Sequence, residues 1–362
     1  MNPIIENIRA RAVAVPMKRP PAVASGAIAA ATFVLIDMET DAGLTGCAYI
    51  FTFTESMLAP TVAVVEALGE LLRGDQVVPL EIEAKLRSSF AIQDSHGIVG
   101  QAIAGLDMAL WDAHAKVLGV PLVRALGGKV KPIRAYNSCG LWIQNPARLG
   151  DEAEALLEEG GFKALKLRLG RTDFDLDLAA VRNVKKRLGD DIPLMVDFNQ
   201  SLTVSEGIRR GLALDDEGLY WIEEPVRHDD YAGHARISRA IKTPIQLGEN
   251  LLSAADMQKA IEARAADFYM PDVQRIGGVT GWMRAAALAQ ANGLEMSSHL
   301  FPEFSAHLLA ATPSCHWLEY MDWAAPILQE PFEVMQGCVV IPDRLGAGIA
   351  WNEDAVRQYR QT

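Results

Sequence analysis

Eight short apolar runs, spaced through the second part of the chain and separated by helix-length stretches, constrain the fold more than any other feature. They lie at 133–138, 164–169, 194–198, 219–224, 245–249, 267–271, 294–299 and 316–320. Segments with helical periodicity, such as 174–188, 204–214, 254–265 and 281–291, fall between them. Parallel strands cannot be joined by tight turns and need helical crossovers, so eight such units point to a (β/α) barrel. This rhythm starts after Lys131-Pro132 and breaks near residue 329.

Ahead of the barrel, residues 4–15, 31–37 and 45–51 read as strands, with Asp41-Ala-Gly43 as a hairpin turn. Helical spacing follows at 57–72, 82–90 and 99–118. The expected organisation is an α/β protein with an α+β capping domain over residues 1–130, completed by 329–362, and a barrel over 131–328. At 362 residues the chain exceeds what one hydrophobic core accommodates, which fits two such parts.

The formal net charge of −12 argues against a broad nucleic-acid or anionic-membrane surface, because both need clustered Lys and Arg. No transmembrane stretch is evident, and the apolar segment 20–36 starts too late for a signal peptide. The four cysteines form no C-x-x-C pair, which suggests neither a zinc knuckle nor a disulfide framework and places the expected home in the cytoplasm.

The polar residues that end these runs carry the chemistry. Asp197, Glu223, Glu249, Asp272, His299 and Glu319 each sit at the carboxyl end of a barrel strand, and those ends converge on one face. The intervals 197 to 223 and 223 to 249 are both 26 residues, so consecutive units each deliver one carboxylate. Three such groups form a hard oxygen cluster suited to Mg²⁺, with Mn²⁺ as a substitute. Lys166 and Arg168, two apart on the second strand, face the same side. Asp272 can fix one tautomer of His299 and raise its basicity. Glu319, if protonated, can donate to a substrate carboxylate. A divalent cation, a cationic side chain and a neutral acid are what an enediolate dianion requires, so the chemistry expected is removal of the proton next to a carboxylate.

These residues lie in KALKLRLG (163–170), VDFNQSL (196–202), WIEEP (221–225), GEN (248–250), MPDVQRIGGVTGW (270–282) and SSHLFPEFSAHLLAATPSCHWLE (297–319). Together they resemble the enolase superfamily, and within it the mandelate racemase subgroup, over nearly the whole chain. The resemblance implies a capping domain over a modified (β/α)7β barrel of the TIM type. It implies Mg²⁺ held by Asp197, Glu223 and Glu249, a His299–Asp272 dyad, Glu319 as electrophile, and a homo-oligomer, octamer or dimer. Ser138 and Asn199, at strand ends, are implied as substrate contacts. Arg275 either orients the dyad or is a surface charge.

One departure bears on mechanism. Lys166 matches the first lysine of the family's Lys-x-Lys, but Arg168 stands where the second, the base opposite the histidine, is expected. A guanidinium is a poor proton acceptor. A single base at His299 favours dehydration of an acid sugar. Against that, the segment 20–28, which corresponds to the family's substrate flap, offers Val23 and Ile28, and with Phe53 it is apolar. The leading expectation is therefore racemisation of a mandelate-like apolar 2-hydroxy acid. Acid-sugar dehydration is the alternative, and a catalytically silent metal- or ligand-binding barrel is the reading from another class. The partner expected is a small carboxylate, with no nucleic acid and no membrane.

Overall fold

The computed structural model describes residues 2–24, 26–92 and 95–361; Ser25, within the apolar segment 20–28, lies outside the described residues. The chain opens with strand β1 (Ile5–Pro16), a small hairpin of β2 (Ala22–Val23) and β3 (Gly26–Ala27), then β4 (Ala30–Thr40) and β5 (Thr45–Phe51). Strands β1, β4 and β5 form an antiparallel sheet with β4 in the centre. β4 is rich in apolar side chains and buried along most of its length, as a central strand must be. Helices α1 (Leu58–Leu72), α2 (Pro79–Ser89) and α3 (Gly97–Val117) follow. α3 approaches β5 so closely that a Cβ on Gly46 would stand 2.2 Å from the Ala109 carbonyl, which is why glycine occupies that position.

A short α4 (Leu122–Ala125) leads into the barrel. Its first units are β6 (Ile133–Asn137), α5 (Pro146–Glu158), β7 (Leu165–Arg168), α6 (Phe174–Leu188), β8 (Leu194–Asp197) and α7 (Val204–Leu214). Next come β9 (Trp221–Glu223), α8 (Tyr231–Ala240), β10 (Ile245–Leu247), α9 (Ala254–Glu262) and β11 (Phe268–Tyr269). Helices α10 (Gly278–Ala291) and α11 (Pro302–Ala311) precede the last barrel strand, β12 (Leu318–Tyr320). The chain ends with the hairpin β13 (Val334–Met335) and β14 (Cys338–Val339), then α12 (Glu353–Tyr359). Side-chain caps from Asn145, Asp173, Thr203, Asp230 and Ser253 start α5 to α9 and take up helix-end N–H groups.

Strands β6 to β11 are parallel neighbours in chain order, and β12 returns to pair with β6. The seventh apolar run, 294–299, differs from expectation. It forms isolated bridges, Met296 to Tyr269 and Cys315 and His299 to Asp272, instead of a continuous strand. The run still occupies the seventh position, with Ser297 N–H donating to the Tyr269 carbonyl at 2.8 Å and His316 N–H to the Met296 carbonyl at 2.9 Å, but the Ser297 and Ser298 hydroxyls take the N–H groups of Trp317 and Glu319, at 3.3 Å, which interrupts the ladder on that side.

The inward face follows the two-residue period of the strands. Tyr136, Ala164, Met195, Trp221 and Trp317 form one apolar layer inside the barrel. Two residues further along their strands stand Lys166, Asp197, Glu223 and Glu319. The chemical residues are thus the next inward positions above a packed floor. Past residue 329, β14 pairs with β6, while Trp351 donates to Asp37 of β4 at 2.6 Å and Ala347 to Asp112 of α3 at 2.6 Å. No helix among the described residues is long and apolar enough to cross a membrane.

Candidate active site

Asp197, Glu223 and Glu249 come together: one carboxylate oxygen from each lies within 4.8 Å of the others. The first two end β8 and β9, whereas Glu249 follows β10 by two residues. The turn that brings it in requires Gly248, whose φ is 143° and whose added Cβ would meet the Met270 backbone nitrogen at 2.7 Å.

Burial, with Asp197 and the other carboxylates adding to it, pushes the Glu223 carboxyl up to about 8 despite nearby Lys166. Asp197 is likewise raised, chiefly by burial. Crowded, desolvated carboxylates of this kind call for a cation. The oxygen-only donor set suits a hard divalent ion, and Asn199 Oδ1, buried and without a hydrogen-bond partner among the described residues, adds a further oxygen beside Asp197.

Lys166 and Arg168 do share the inward side of β7. The Lys166 ammonium lies 2.6 Å from Glu319, 3.0 Å from Glu223 and 3.8 Å from Asp197. Burial alone would lower its pKa, but Glu223 and Glu319 outweigh that and raise it. Arg168 donates to Ser138 at 3.0 Å, stands 3.5 Å from Asp197 and lies over the Trp142 ring at 4.7 Å.

Across the cluster, His299 Nδ1 is 2.7 Å from Asp272 and its Nε2 is 3.3 Å from Glu249 and 3.8 Å from Glu319. Burial works against its charged form, yet Glu249 and Asp272 raise its pKa to about 9. Asp272 is itself oriented by the backbone N–H groups of Gln274 at 2.7 Å and Arg275 at 3.0 Å.

Two expectations need correction. Glu319 is not a neutral donor in this arrangement. It accepts from Leu300 N at 3.1 Å, Ser138 Oγ at 2.8 Å and Lys166, and although burial opposes it, Lys166 and His299 hold its pKa below the usual range. Ser138 is fully buried between Glu319 and Arg168 and does not line the cavity.

The cavity above the cluster has a volume of about 430 Å³. Val23, Ile28 and Phe53 line it, as do Arg168, Asp197, Asn199, Glu249 and His299. Arg275 lines it too and is not a free surface charge: it donates to Asn250 and lies over the Phe53 ring at 4.9 Å. Sequence reasoning missed Trp142, Leu300, Met321 and Trp323 on the apolar side, and Gln200, Arg227 and Asn250 on the polar side. All lie in segments just beyond strand ends or beside residues already singled out, which was the available signal.

Two family profiles match the chain: the mandelate racemase/muconate lactonizing enzyme N-terminal domain over residues 6–127, and the enolase C-terminal domain-like family over 148–355. The chain belongs to the mandelate racemase/muconate lactonizing enzyme family of the enolase superfamily. L-talarate/galactarate dehydratase of Salmonella typhimurium is 35% identical over 78% of this chain and 71% of its own length. The 3,6-anhydro-alpha-L-galactonate cycloisomerase of Streptomyces coelicolor is 34% identical over 90% of each chain. A solved enolase from Bradyrhizobium, complexed with magnesium and mandelic acid, is 42% identical, with a TM-score of 0.96 over 100% of this chain and 99% of that one.

Proposed function

We propose that this family member is an enzyme that transfers the α-proton of a 2-hydroxycarboxylate bearing an apolar, aryl-sized group, with racemisation as its net reaction. The observation that carries this reading is the cavity itself. His299 and the Lys166–Arg168 pair flank the carboxylate cluster from opposite sides, and Val23, Ile28, Phe53, Trp142, Leu300 and Trp323 line the space beside it. The similar Bradyrhizobium enolase, complexed with magnesium and mandelic acid, supports the same substrate class.

Asp197, Glu223 and Glu249 would hold Mg²⁺, or Mn²⁺ in its place. Bound there, the ion would neutralise the carboxylate cluster and polarise the substrate carboxylate, acidifying the adjacent C–H. A cation on Glu249 also offsets one of the charges that hold His299 protonated.

In this reading His299, held by Asp272, presents Nε2 and takes the proton from one face. The Lys166 ammonium balances charge on the enediolate, and Glu319, as an acceptor, holds Lys166 in place. Racemisation further requires proton delivery from the face that Arg168 occupies. The deciding experiment follows the α-hydrogen of each mandelate enantiomer in D₂O with Mg²⁺ by NMR. Deuterium incorporation with inversion is expected. Incorporation with retention for one enantiomer would refute racemisation and leave a one-base enzyme, and no exchange with any apolar 2-hydroxy acid would remove the substrate class.

A second reading, dehydration of an acid sugar to a 2-keto-3-deoxy acid, is favoured by the polar wall of Gln200, Asn250 and Arg275 and by the sugar-acid enzymes among the relatives. A screen of aldonic and aldaric acids that yields no keto product would sink it. The homo-oligomer implied by the resemblance belongs to the same reading, and a monomer mass by light scattering would overturn it.

A further inference from the structure

Strand β5 brings Tyr49 and Phe51 to the face where the cap meets the barrel, and Phe53 follows with a φ of 62°, a conformation that a side chain of this size adopts only when its surroundings impose it. Two residues earlier, the chain is held by a group from the barrel. The Phe51 N–H donates to Gln274 Oε1 at 2.7 Å, and Gln274 Nε2 donates back to the Phe51 carbonyl at 3.1 Å. The carboxamide thus takes the place of a neighbouring strand at the end of β5, in a site where Phe51 and Gln274 are both almost fully buried.

Gln274 has a second attachment. Its backbone N–H donates to Asp272 Oδ1 at 2.7 Å, while the other oxygen of Asp272 holds His299 at 2.7 Å. The next residue, Arg275, also donates its backbone N–H to Asp272 and lays its guanidinium over Phe53. Two consecutive positions, Gln274 and Arg275, therefore orient the Asp272–His299 pair on one side and hold the apolar wall from Phe51 to Phe53 on the other.

We propose that Gln274 is a positioning residue that sets the cap wall in register with the His299–Asp272 pair, so that the depth at which an apolar substituent seats determines where its α-carbon stands relative to His299 Nε2. The inference rests on the substrate and roles proposed above. A buried carboxamide bound to both backbone polar groups of one residue resists sliding in either direction, and small displacements of a positioned substrate are costly in rate. The consequence differs between substrates. A 2-hydroxy acid with only a methyl group barely reaches Phe53 and takes little of its placement from the cap, whereas mandelate takes much of it.

The test uses the full chain loaded with Mg²⁺, as wild type, as Gln274→Met, which keeps the bulk but neither hydrogen bond, and as Gln274→Glu, which keeps an acceptor for the Phe51 N–H. Two quantities are read: backbone amide exchange across residues 47–54 without substrate, and kcat/KM for α-deuteration of mandelate relative to lactate. For Gln274→Met, amide exchange should rise in that segment while barrel segments such as 194–202 stay protected. The mandelate-to-lactate ratio should fall on the order of tenfold, with Gln274→Glu in between.

Equal losses for both acids with 47–54 still protected would overturn the proposal, because a merely structural role lowers both through the amount of folded protein. If wild type deuterates neither acid, the functional reading fails, and the amide-exchange comparison alone decides Gln274: loosening confined to 47–54 upholds the tie and unchanged protection overturns it. If Gln274→Met does not fold, the same readouts on Gln274→Glu carry the decision.

Discussion

His307, on α11, faces the link between barrel and cap and makes the protein acid-sensitive. Its Nδ1 accepts the Val123 N–H of α4 at 3.2 Å, and its Nε2 donates to the Ala347 carbonyl at 3.3 Å. That pattern admits only the neutral ring: a proton on Nδ1 would face a donor and leave the Val123 N–H without its acceptor. Burial, with the Arg344 charge adding to it, lowers the His307 pKa from 6.5 to about 4.

The sign of the pH effect follows. Above pH 6.5 the ring is neutral whether the chain is folded or not, so it costs nothing. Between pH 6.5 and 4 the unfolded chain binds a proton that the folded chain refuses, and stability falls as pH falls. Each pH unit in that window is worth about 1.4 kcal/mol, which gives about 2 kcal/mol lost at pH 5 and about 3 kcal/mol below pH 4. His316, also lowered to about 4 by burial, adds a similar loss, so the contribution of His307 is isolated by difference. The assay is urea unfolding of wild type and His307→Gln at pH 7 and pH 5. The wild type should lose about 2 kcal/mol more than the variant between these conditions. Parallel curves for the two proteins would refute the argument.

Three further outcomes are expected. His299→Asn should lower α-deuteration of mandelate by about 10²–10⁴-fold while leaving Mg²⁺ affinity, read by isothermal titration, within a few-fold; retained exchange would remove His299 as the base. Glu249→Gln should weaken Mg²⁺ binding by more than the roughly 10–100-fold typical of losing a residue that only supports a metal ligand, and an unchanged titration would exclude Glu249 from the metal site. Gly248→Ala should cost about 1–3 kcal/mol for a side chain at φ 143° against the Met270 backbone and should weaken Mg²⁺ binding with it, read by thermal melts with and without the ion.

The carboxylates were legible in the sequence because strand geometry is local. One residue in two faces the barrel axis, so Asp197 two after Met195 and Glu223 two after Trp221 must stand above the same floor. Lys166 and Arg168 followed from the same period. What was not legible depends on partners far away in the chain. Ser138 looked like a substrate contact, but residues 30 and 181 positions away claim its hydroxyl. Glu319 looked like a neutral acid until three donors from separate segments converged on it. The pairing of Gln274 with Phe51, 223 residues apart, has no local pattern at all, since a carboxamide that serves as a strand partner reads in sequence as an ordinary polar loop residue. The seventh run keeps its place in the barrel, but its serine hydroxyls take two N–H groups of the next strand, which periodicity does not register.

The charge balance of the site also predicts an order of binding. Asp197, Glu223, Glu224, Glu249, Asp272 and Glu319 gather six carboxyl groups around the cationic side chains of Lys166, Arg168 and His299, with Arg275 acting on Glu249, and all six but Glu249 are buried. Burial with the surrounding carboxylates pushes Glu224 well above its ordinary range and Glu223 to about 8, so these two resist the charged form, whereas Glu249 and Glu319, despite burial, are held low by His299 and Lys166. A carboxylate substrate brings one more negative charge to the same place. A divalent cation in the triad would offset that repulsion, whereas Lys166 is already engaged by Glu319 and Glu223. Mandelate should bind measurably by isothermal titration only after Mg²⁺ is present, and its apparent affinity should rise with Mg²⁺ concentration until the triad is saturated. Equal mandelate affinity in Mg²⁺ and in a chelator would show that the cationic side chains around the cavity are sufficient, and the triad would then have to be explained without a metal.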